Sequence, residues 1–138
     1  MPEIEWNATA TAECIVTEND LASALDAAPG AIFPPVLSTP RMVALMELAS
    51  ARLMQRALGT GELSAGASLE IVHTAPTMMG GKVTATARYV GRDGKLFVFK
   101  VTAADPAGEI GRGTHKRAIV SGERLMAAAQ RRNNPGFQ

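Results

Sequence analysis

The sequence predicts an α+β fold in which one long apolar helix packs against an antiparallel sheet. Three observations lead to this prediction. The segment from Thr39 to Gly59 carries apolar residues around most of a helical circumference. Four later segments have the alternation, or the β-branched and aromatic composition, that is typical of strands. The connections between those segments are short and contain glycine, which favours antiparallel hairpins over crossovers.

Before the long helix, the chain is expected to form one strand and one short helical segment. Residues 7–16 alternate loosely between polar and apolar and end in a β-branched pair, which indicates a strand. A helical segment capped near Thr17 is expected to run to about Ala28 and to end at Pro29-Gly30. The next loop, AIFPPVLS, contains two adjacent prolines that hold it extended.

The long helix is expected to begin at Thr39-Pro40, because threonine is a good N-cap and proline suits the first helical turn. Gly59 is expected to end it. Its polar stripe is narrow and consists of Arg41, Arg52, Gln55 and Arg56. A helix with so little polar surface must be surrounded by a larger element.

The sheet that surrounds it is predicted from four segments in succession: 68–75, 82–90, 95–104 and 109–120. Their connections, MMGG, GRDG and DPAG, predict hairpins. Ser121-Gly122 is expected to open a short helix, ERLMAAAQRR, and the tail from about 131 to 138 is expected to be frayed. No repeat or linker divides the chain, so residues 1–138 are expected to form one domain.

With the N-terminal strand counted, this pattern gives a five-stranded antiparallel sheet wrapped around one central helix, which is a hot-dog fold. Such a sheet leaves an exposed edge. Pairing that edge with a second copy across a two-fold axis would cover it, so a homodimer is expected.

Composition narrows the function classes. The 138 residues carry 14 basic and 13 acidic side chains, a balance that does not favour a nucleic-acid partner. The single cysteine, Cys14, cannot form an internal disulfide, and neither a signal peptide nor a membrane span is recognisable, so we expect a cytoplasmic protein without a membrane partner. Two histidines and one distant cysteine lack zinc spacing, and no phosphate-binding glycine loop occurs, so we expect no metal and no cofactor.

Two ionisable residues stand out against their apolar surroundings. His73 shares a strand face with Leu69 and Ile71, so it is expected to point towards the helix. Glu47 lies among apolar helical residues, away from the arginine stripe, and a buried carboxylate needs a partner or a raised pKa. Either residue could instead be structural, as a hydrogen-bonded core histidine and a buried ion pair.

Thr39 is open to two interpretations as well. As the N-cap it would contribute about 1 kcal/mol to helix stability without any chemistry. The same position places its hydroxyl at the positive end of the helix dipole, where developing negative charge is stabilised. Eight residues of helix separate Thr39 from Glu47 by roughly 12 Å, so a site assembled across a dimer interface would bring such residues together more easily.

His115 and Arg117 are two residues apart in a predicted strand, so their side chains point to the same face of the sheet. Arg117 and Lys116 could bind phosphate groups or simply be exposed to solvent. Without an evident carboxylate neighbour, His115 is interpreted as structural.

Three runs of sequence together resemble a known family. FPPVLSTPRMVALME, GASLEIVHTA and GRGTHKRAIV resemble the fluoroacetyl-CoA thioesterase family of hot-dog proteins, over approximately Phe33 to Val120. The resemblance implies a catalytic set of Thr39, Glu47 and His73. It also implies that Gly66 lies at the acyl carbonyl, that Arg117 is the arginine of a T-H-x-R strand, and that Phe33 is an aromatic lid residue at the acyl pocket.

One feature of the family is missing. A second lid aromatic has no counterpart near Gly30. The resemblance therefore implies hydrolysis of a short acyl-CoA without implying selectivity for fluoroacetyl groups. The sequence leaves open whether Thr39 attacks covalently or positions water, and whether Glu47 orients His73 or is itself the nucleophile or base. It also leaves open a non-catalytic protein that binds or senses acyl-CoA, because one fold hosts many functions. A hot-dog hydratase is less favoured, since its Asp-then-His pairing is not found.

Overall fold

The computed structural model describes residues 3–25, 31–134 and 136. In chain order the elements are β1 (Thr9–Ile15), two 3₁₀ turns (Glu18–Asp20 and Ala22–Leu25), α1 (Thr39–Met54) with a following 3₁₀ turn (Gln55–Ala57), β2 (Glu62–His73), β3 (Lys82–Asp93), β4 (Leu96–Asp105), β5 (Gly108–Ser121) and α2 (Gly122–Asn133). The strands form one antiparallel sheet in the order β1-β3-β4-β5-β2. This confirms the predicted α+β hot-dog fold, with five strands around one central helix.

The core lies between α1 and one face of the sheet. From α1 it takes Met42, Leu45, Met46, Ala49 and Leu53, and from the strands chiefly Val83, Ala85, Phe99, Val101 and Ala103. Residues three and four apart lie on one face of the helix, and alternate residues of a strand lie on one face of the sheet. These two apolar faces pack against each other in a single layer. This packing fixes the start of α1 relative to the ends of the strands.

The cap of α1 differs from the prediction by one residue. Ser38 is the N-cap, and its side-chain oxygen accepts a hydrogen bond from the Arg41 amide at 3.1 Å. Thr39 and Pro40 therefore occupy the first helical turn, where proline is favoured. The hydroxyl of Thr39 is consequently free of the capping role that the sequence allowed for it. The helix gives way to the 3₁₀ turn at Gln55, before the predicted end at Gly59.

The four predicted strands occur in succession, but the hairpin expected at the first of their three connections is wrong. β3, β4 and β5 are joined by hairpins, but β2 pairs with β5, and β3 lies between β1 and β4. The MMGG segment therefore belongs to a crossing connection. Within it, the buried Thr77 accepts a hydrogen bond from the Leu37 amide at 2.8 Å and donates one to Asp105 at the end of β4. These contacts guide the chain across the end of the sheet.

β2 forms an edge of the sheet and begins at Glu62, six residues before its predicted start. Its outer side pairs with no strand among the described residues. Several of its large apolar side chains are exposed, namely Leu63, Leu69 and Val72. Leu69, on the strand face that it was expected to share with Ile71 and His73, is among the exposed ones in the single chain, because an edge strand has neighbours on one side only.

The remaining differences concern short segments. The helical segment predicted after Thr17 is two 3₁₀ turns, and the part of that prediction from Asp26 to Gly30 lies outside the described residues. α2 continues to Asn133, into the tail that was expected to be frayed. No helix in the described ranges has both the length and the apolar character needed to cross a bilayer.

Candidate active site

The hydroxyl of Thr39 and the imidazole of His73 meet where the start of α1 approaches the end of β2. Thr39 Oγ1 lies 2.8 Å from His73 Nδ1, a full hydrogen bond between residues 34 positions apart. Proline at the next position holds the first helical turn, and the paired strand β5 holds the end of β2. The contact therefore depends on two rigid elements, as a reactive hydroxyl–base pair requires.

A largely apolar cavity of about 560 Å³ opens beside this pair. Its walls are formed by Ala22, Leu25, Phe33, Pro34, Val36, Leu37, Thr39, Pro40, His73, Thr74, Ala75 and Pro76. Phe33, expected to be an aromatic lid residue, thus lines the same cavity as Thr39 and His73. The position of the missing second aromatic, Gly30, lies outside the described residues. The size and lining suit an acyl group with the adjoining part of a thioester chain.

The other ring nitrogen of His73 is buried and has no hydrogen-bond partner within the described part of the chain. A buried unpaired nitrogen costs free energy unless a partner is supplied. Thr39 engages Nδ1, so Nε2 is the atom that a carboxylate or a substrate group would have to satisfy. Glu47, the predicted partner, does not do so within one chain.

Glu47 lies in a second cluster, on the α1 surface facing the middle of β2 and β5. Its Oε1 is 3.7 Å from Arg117 Nη1 and 3.9 Å from His115 Nε2. Its side chain is 46% exposed in the single chain, so the expected burial of Glu47 is wrong for one protomer. A smaller cavity of about 280 Å³ opens over it, lined by Glu47, Gly66, Ala67, Ser68, Leu69 and His115. The carboxylate is therefore paired on one side and accessible on the other.

His115 fixes the geometry beneath this carboxylate. Only 1% of its side chain is exposed. Its Nδ1 donates to the Ser68 carbonyl at 2.9 Å, and its Nε2 accepts from Arg117 Nη1 at 3.1 Å. Burial, followed by the nearby Arg117 charge, lowers the pKa of His115, outweighing the opposite effects of Ser68 and Glu47. His115 is therefore neutral, so within the described ranges the charged partner of Glu47 is Arg117.

Arg117 is held by the edge strand as well. Its Nε donates to the Ser64 hydroxyl and its Nη2 to the Ser64 carbonyl, both at 3.1 Å. Burial lowers the pKa of Arg117, and Glu47 raises it again. An arginine remains charged under such conditions, so this buried guanidinium is a fixed positive charge at the cluster.

Gly66 is required by the close approach of Glu47. A Cβ at this position would lie 2.5 Å from Glu47 Oε1 and 3.3 Å from His115 Cε1. The pairing of β2 with β5 shifts between Gly66 and Ser68, which marks a β-bulge at Ala67. Bulges are common beside active sites because they redirect the backbone. The predicted position of Gly66 at the acyl carbonyl stays a prediction.

The six predicted site residues thus fall into two clusters. Phe33, Thr39 and His73 form one, and Glu47, Gly66 and Arg117 form the other. Glu47 makes no hydrogen bond or ion pair with Thr39 or His73 among the described residues. The sequence interpretation missed the two serines, Ser64 and Ser68, and treated His115 as structural without assigning its contacts. The shared strand parity of His115 and Arg117 was a usable signal, but the carboxylate beside them comes from another element.

A curved antiparallel sheet around one helix, with a hydroxyl–imidazole pair at an apolar cavity, places the chain in the class of hot-dog-fold thioesterases. The family model described as fluoroacetyl-CoA-specific thioesterase (FlK) matches residues 16–123, so the chain belongs to this family.

Individual relatives agree with this assignment. The chain is 40% identical over 104 residues to a fluoroacetyl-CoA thioesterase from Streptantibioticus cattleyicolor, and the match covers 75% of each chain. A solved structure of the fluoroacetyl-CoA thioesterase FlK is similar at a TM-score of 0.87 and 34% identity, covering 94% of this chain and 97% of that one. A hypothetical protein of the thioesterase superfamily from Thermus thermophilus is similar at a TM-score of 0.86 and 27% identity, covering 98% and 97%.

Proposed function

We propose that this protein is a thioesterase that hydrolyses a short acyl-CoA to the free acid and CoA. The observation that carries the proposal is the 2.8 Å contact between Thr39 Oγ1 and His73 Nδ1 at the mouth of an apolar cavity. Membership of the fluoroacetyl-CoA-specific thioesterase family supports it. So does a related FlK variant structure in complex with fluoroacetate and CoA, at a TM-score of 0.81 and 34% identity, covering 88% of this chain and 99% of that one.

In the proposed reaction His73 is the general base. It takes the proton of the attacking oxygen, which is either the Thr39 hydroxyl or a water held beside it, and later returns a proton to the departing CoA sulfur. If Thr39 attacks, its oxygen forms an ester with the acyl group as the carbon–sulfur bond breaks, and water then hydrolyses that ester. Mass spectrometry of rapidly quenched enzyme distinguishes the two routes, because only the first adds the acyl mass to the protein.

The Glu47 cluster is the second part of the proposed site. His73 gains positive charge when it accepts a proton, and a carboxylate at Nε2 would stabilise that charge. In one chain Nε2 is buried and has no partner among the residues that the structure describes, whereas Glu47 has an open side facing a cavity. We propose that a second copy of the chain joins these two halves.

The proposed homodimer forms along the free edge of β2. His73 lies at the end of this strand, and Gly66, which Glu47 contacts, lies seven positions earlier. Two copies of β2 paired antiparallel about a point between these residues would set the Thr39–His73 pair of one copy beside the Glu47 cluster of the other. The exposed Leu69 and Val72 would be covered at the same time. Measurement of mass in solution by light scattering tests the dimer, and a monomer would contradict it.

The activity is tested by thiol release from acetyl-CoA and a panel of short acyl-CoA esters. Wild-type protein should turn over, and His73→Ala should lower kcat by about two to four orders of magnitude, the usual contribution of a general base. Lys82→Ala, which breaks an exposed ion pair with Glu13 away from both cavities, is the matched control and should keep full activity. Wild-type turnover that survives in His73→Ala would remove His73 from the mechanism.

The same panel tests the alternative of an acyl-CoA binding or sensing protein. Tight binding of a non-hydrolysable acyl-CoA, measured by calorimetry, together with no thiol release from any ester would support the sensor and contradict the thioesterase. A cytoplasmic location is also part of the proposal. Cys14, a free thiol in this structure, supports it, because unpaired thiols persist in reducing compartments.

A further inference from the structure

The outer wall of the Thr39–His73 cavity is built from chain that lies outside the sheet. Ala22 and Leu25 come from the wall segment, defined here as residues 17–25, and Phe33, Pro34 and Val36 come from the stretch that leads into α1. The opposite side of the cavity is formed by the start of α1 and the chain after β2. The width of the cavity therefore depends on how firmly the wall segment is held against α1.

Backbone contacts attach the wall segment to the residues before α1. Leu21 and Leu37 form an isolated antiparallel bridge, and both are buried. The amide of Ala22 donates to the Val36 carbonyl at 2.7 Å. These contacts join two stretches of irregular chain to each other, and neither stretch belongs to the sheet.

A side-chain ion pair makes the attachment to the helix itself. Arg41 Nε donates to Asp20 Oδ1 at 2.8 Å, and only 13% of the Asp20 side chain is exposed. The other Asp20 oxygen accepts hydrogen bonds from the Thr17 amide and hydroxyl, at 2.8 and 2.9 Å. The Ser38 amide donates to the Asp20 carbonyl at 2.9 Å. Asp20 thus holds its own turn, the residue before Thr39, and the first turn of α1.

The charges around this pair keep it intact at neutral pH. Partial burial raises the pKa of Asp20, but the Thr17 hydrogen bonds and the Arg41 guanidinium lower it further than burial raises it. The nearby Cys14 thiol has its pKa raised by burial and then by Asp20, so it stays uncharged. Arg41 therefore has Asp20 as its carboxylate partner among the described residues.

We propose that Asp20 and Arg41 determine the acyl-chain selectivity of the enzyme, because their ion pair holds the cavity wall at a fixed distance from Thr39. This inference rests on the proposed function. When the pair is broken, the wall segment keeps its backbone hydrogen bonds to Val36 and Ser38 and its buried Leu21, but it loses its side-chain attachment to α1. The cavity then widens, a short acyl group loses contact with the wall, and a longer one gains room. Neither residue touches the reacting atoms, so both are positioning residues.

The test compares Asp20→Asn and Arg41→Met with the wild-type protein on acetyl-, butyryl- and hexanoyl-CoA. We expect the ratio of kcat/KM for hexanoyl-CoA to that for acetyl-CoA to rise about 5- to 10-fold in both variants, because one methylene in a pocket changes this quantity about 10- to 200-fold and a displaced wall recovers part of that effect. The double variant should show about the same rise as Asp20→Asn alone, because Arg41 acts on the wall segment through Asp20, whereas Asp20→Asn also weakens the Thr17 hydrogen bonds. A purely structural role would lower both values of kcat/KM together and leave their ratio unchanged.

The matched control is Asp93→Asn. It breaks an ion pair with Lys116 that has the same 2.8 Å length but lies away from the cavity. The selectivity ratio of this variant should equal that of the wild type. Asp20→Glu keeps the charge with one extra methylene, so it should recover part of the wild-type selectivity. Thermal unfolding of every variant shows which ones are folded, and Arg41→Met carries the test if Asp20→Asn does not fold.

A second measurement separates this inference from the proposed function. Calorimetry with the thioether analogues S-ethyl-CoA and S-hexyl-CoA reports cavity width without any turnover. The ratio of their dissociation constants should shift towards S-hexyl-CoA in both variants. If wild-type protein hydrolyses the panel but neither ratio moves, the inference is wrong and the proposed function stands. If no ester is hydrolysed, the proposed function is wrong, and the thioether ratio alone decides the inference.

Discussion

Gly66 shows how closely the Glu47 cluster is packed around a single missing methyl group. We predict that Gly66→Ala displaces the Glu47 carboxylate, because the new Cβ would lie 2.5 Å from its Oε1. Glu47 Oε1 is the end of a flexible, half-exposed side chain that can turn away, so the free energy of unfolding should change little. A displacement near 1 Å should lower kcat/KM on the order of 100-fold. Thiol-release kinetics and thermal unfolding measure the two effects.

Gly59→Ala is the control for this substitution. Its Cβ would meet the side chain of Glu62 at 3.2 Å, a longer contact with a flexible group outside both cavities. Its activity should stay near that of the wild type. Equal losses in the two variants would mean that Gly66 has no special relation to Glu47.

His115 predicts a second residue-level effect, on stability at acidic pH. Its pKa lies below the ordinary value of about 6.5 because the buried ring, hydrogen-bonded to Arg117, resists protonation. As the pH falls below 6.5, the unfolded chain takes up a proton here before the folded chain does. The unfolded state then holds more protons, so the free energy of unfolding decreases as the pH falls.

The measurement for His115 is urea unfolding at pH 7.5 and pH 5.5. His115→Asn keeps a donor for the Ser68 carbonyl but cannot titrate, so its free energy of unfolding should change less between these two pH values. Glu47 and Arg117 face the ring in both proteins, and their contributions largely cancel in the comparison. An unchanged pH dependence in the variant would assign the acid sensitivity to other groups.

The residues show where sequence interpretation succeeds and where it ends. Glu47 and His73 were identified because a carboxylate and an imidazole among apolar neighbours need an explanation. Their actual partners, Arg117 for Glu47 and Thr39 for His73, were not assigned by patterning. The periodicity of a strand or helix predicts which face of that element a residue lies on. It does not predict which other element packs against that face. The carboxylate near His115 was not foreseen for the same reason, since Glu47 comes from α1, whereas the buried, hydrogen-bonded ring agrees with a structural role.

At the scale of elements, two adjacent residues at the start of α1 have different roles: Ser38 stabilises the helix, and Thr39 contacts His73. We predict that Ser38→Ala lowers the free energy of unfolding by about 1 kcal/mol, because it removes the cap on the Arg41 amide. Thr39→Ala removes a hydroxyl that caps nothing, so it should change stability little while it lowers kcat strongly. Urea unfolding and thiol-release assays of the two variants measure this separation.

The two variants serve as each other's control. If Thr39→Ala, and not Ser38→Ala, lowered the free energy of unfolding by about 1 kcal/mol, the assignment of Ser38 as N-cap would be wrong. If Ser38→Ala lost as much activity as Thr39→Ala, the chemistry would depend on the helix end as a whole and not on the Thr39 hydroxyl. The conservative Thr39→Ser should retain most of the activity, since it keeps the hydroxyl near His73.

The elements themselves were largely predictable, and their pairing was less so. The apolar circumference of α1 and the alternation in β3, β4 and β5 are local signals, and the corresponding elements are present. The position of β2 is different, because it depends on the contacts of Thr77 with Leu37 and Asp105, which are far apart in sequence. A short glycine-containing connection predicts a turn, but it does not fix the strand that follows as the neighbour.

At the scale of the whole molecule, the central question is whether the two clusters work within one chain or between two. In the described part of the chain, the outer edge of β2 is unpaired, His73 Nε2 is buried without a partner, and Glu47 is accessible. The proposed antiparallel pairing of β2 strands would cover the edge and place Glu47 of one copy beside the Thr39–His73 pair of the other. In a two-fold symmetric dimer each contact between the copies occurs twice, so the dimer would have two identical composite sites.

Mixing two inactive variants tests this arrangement directly. In a heterodimer of Thr39→Ala and Glu47→Gln chains, one composite site receives both substitutions and the other receives neither. Half of the dimers in an equimolar, fully exchanged mixture are heterodimers, so the mixture should regain about a quarter of the wild-type activity. Thiol release is measured after unfolding and refolding the two chains together, with each variant refolded alone as the control. A site contained within one protomer predicts no recovery, since every chain then carries a defective site.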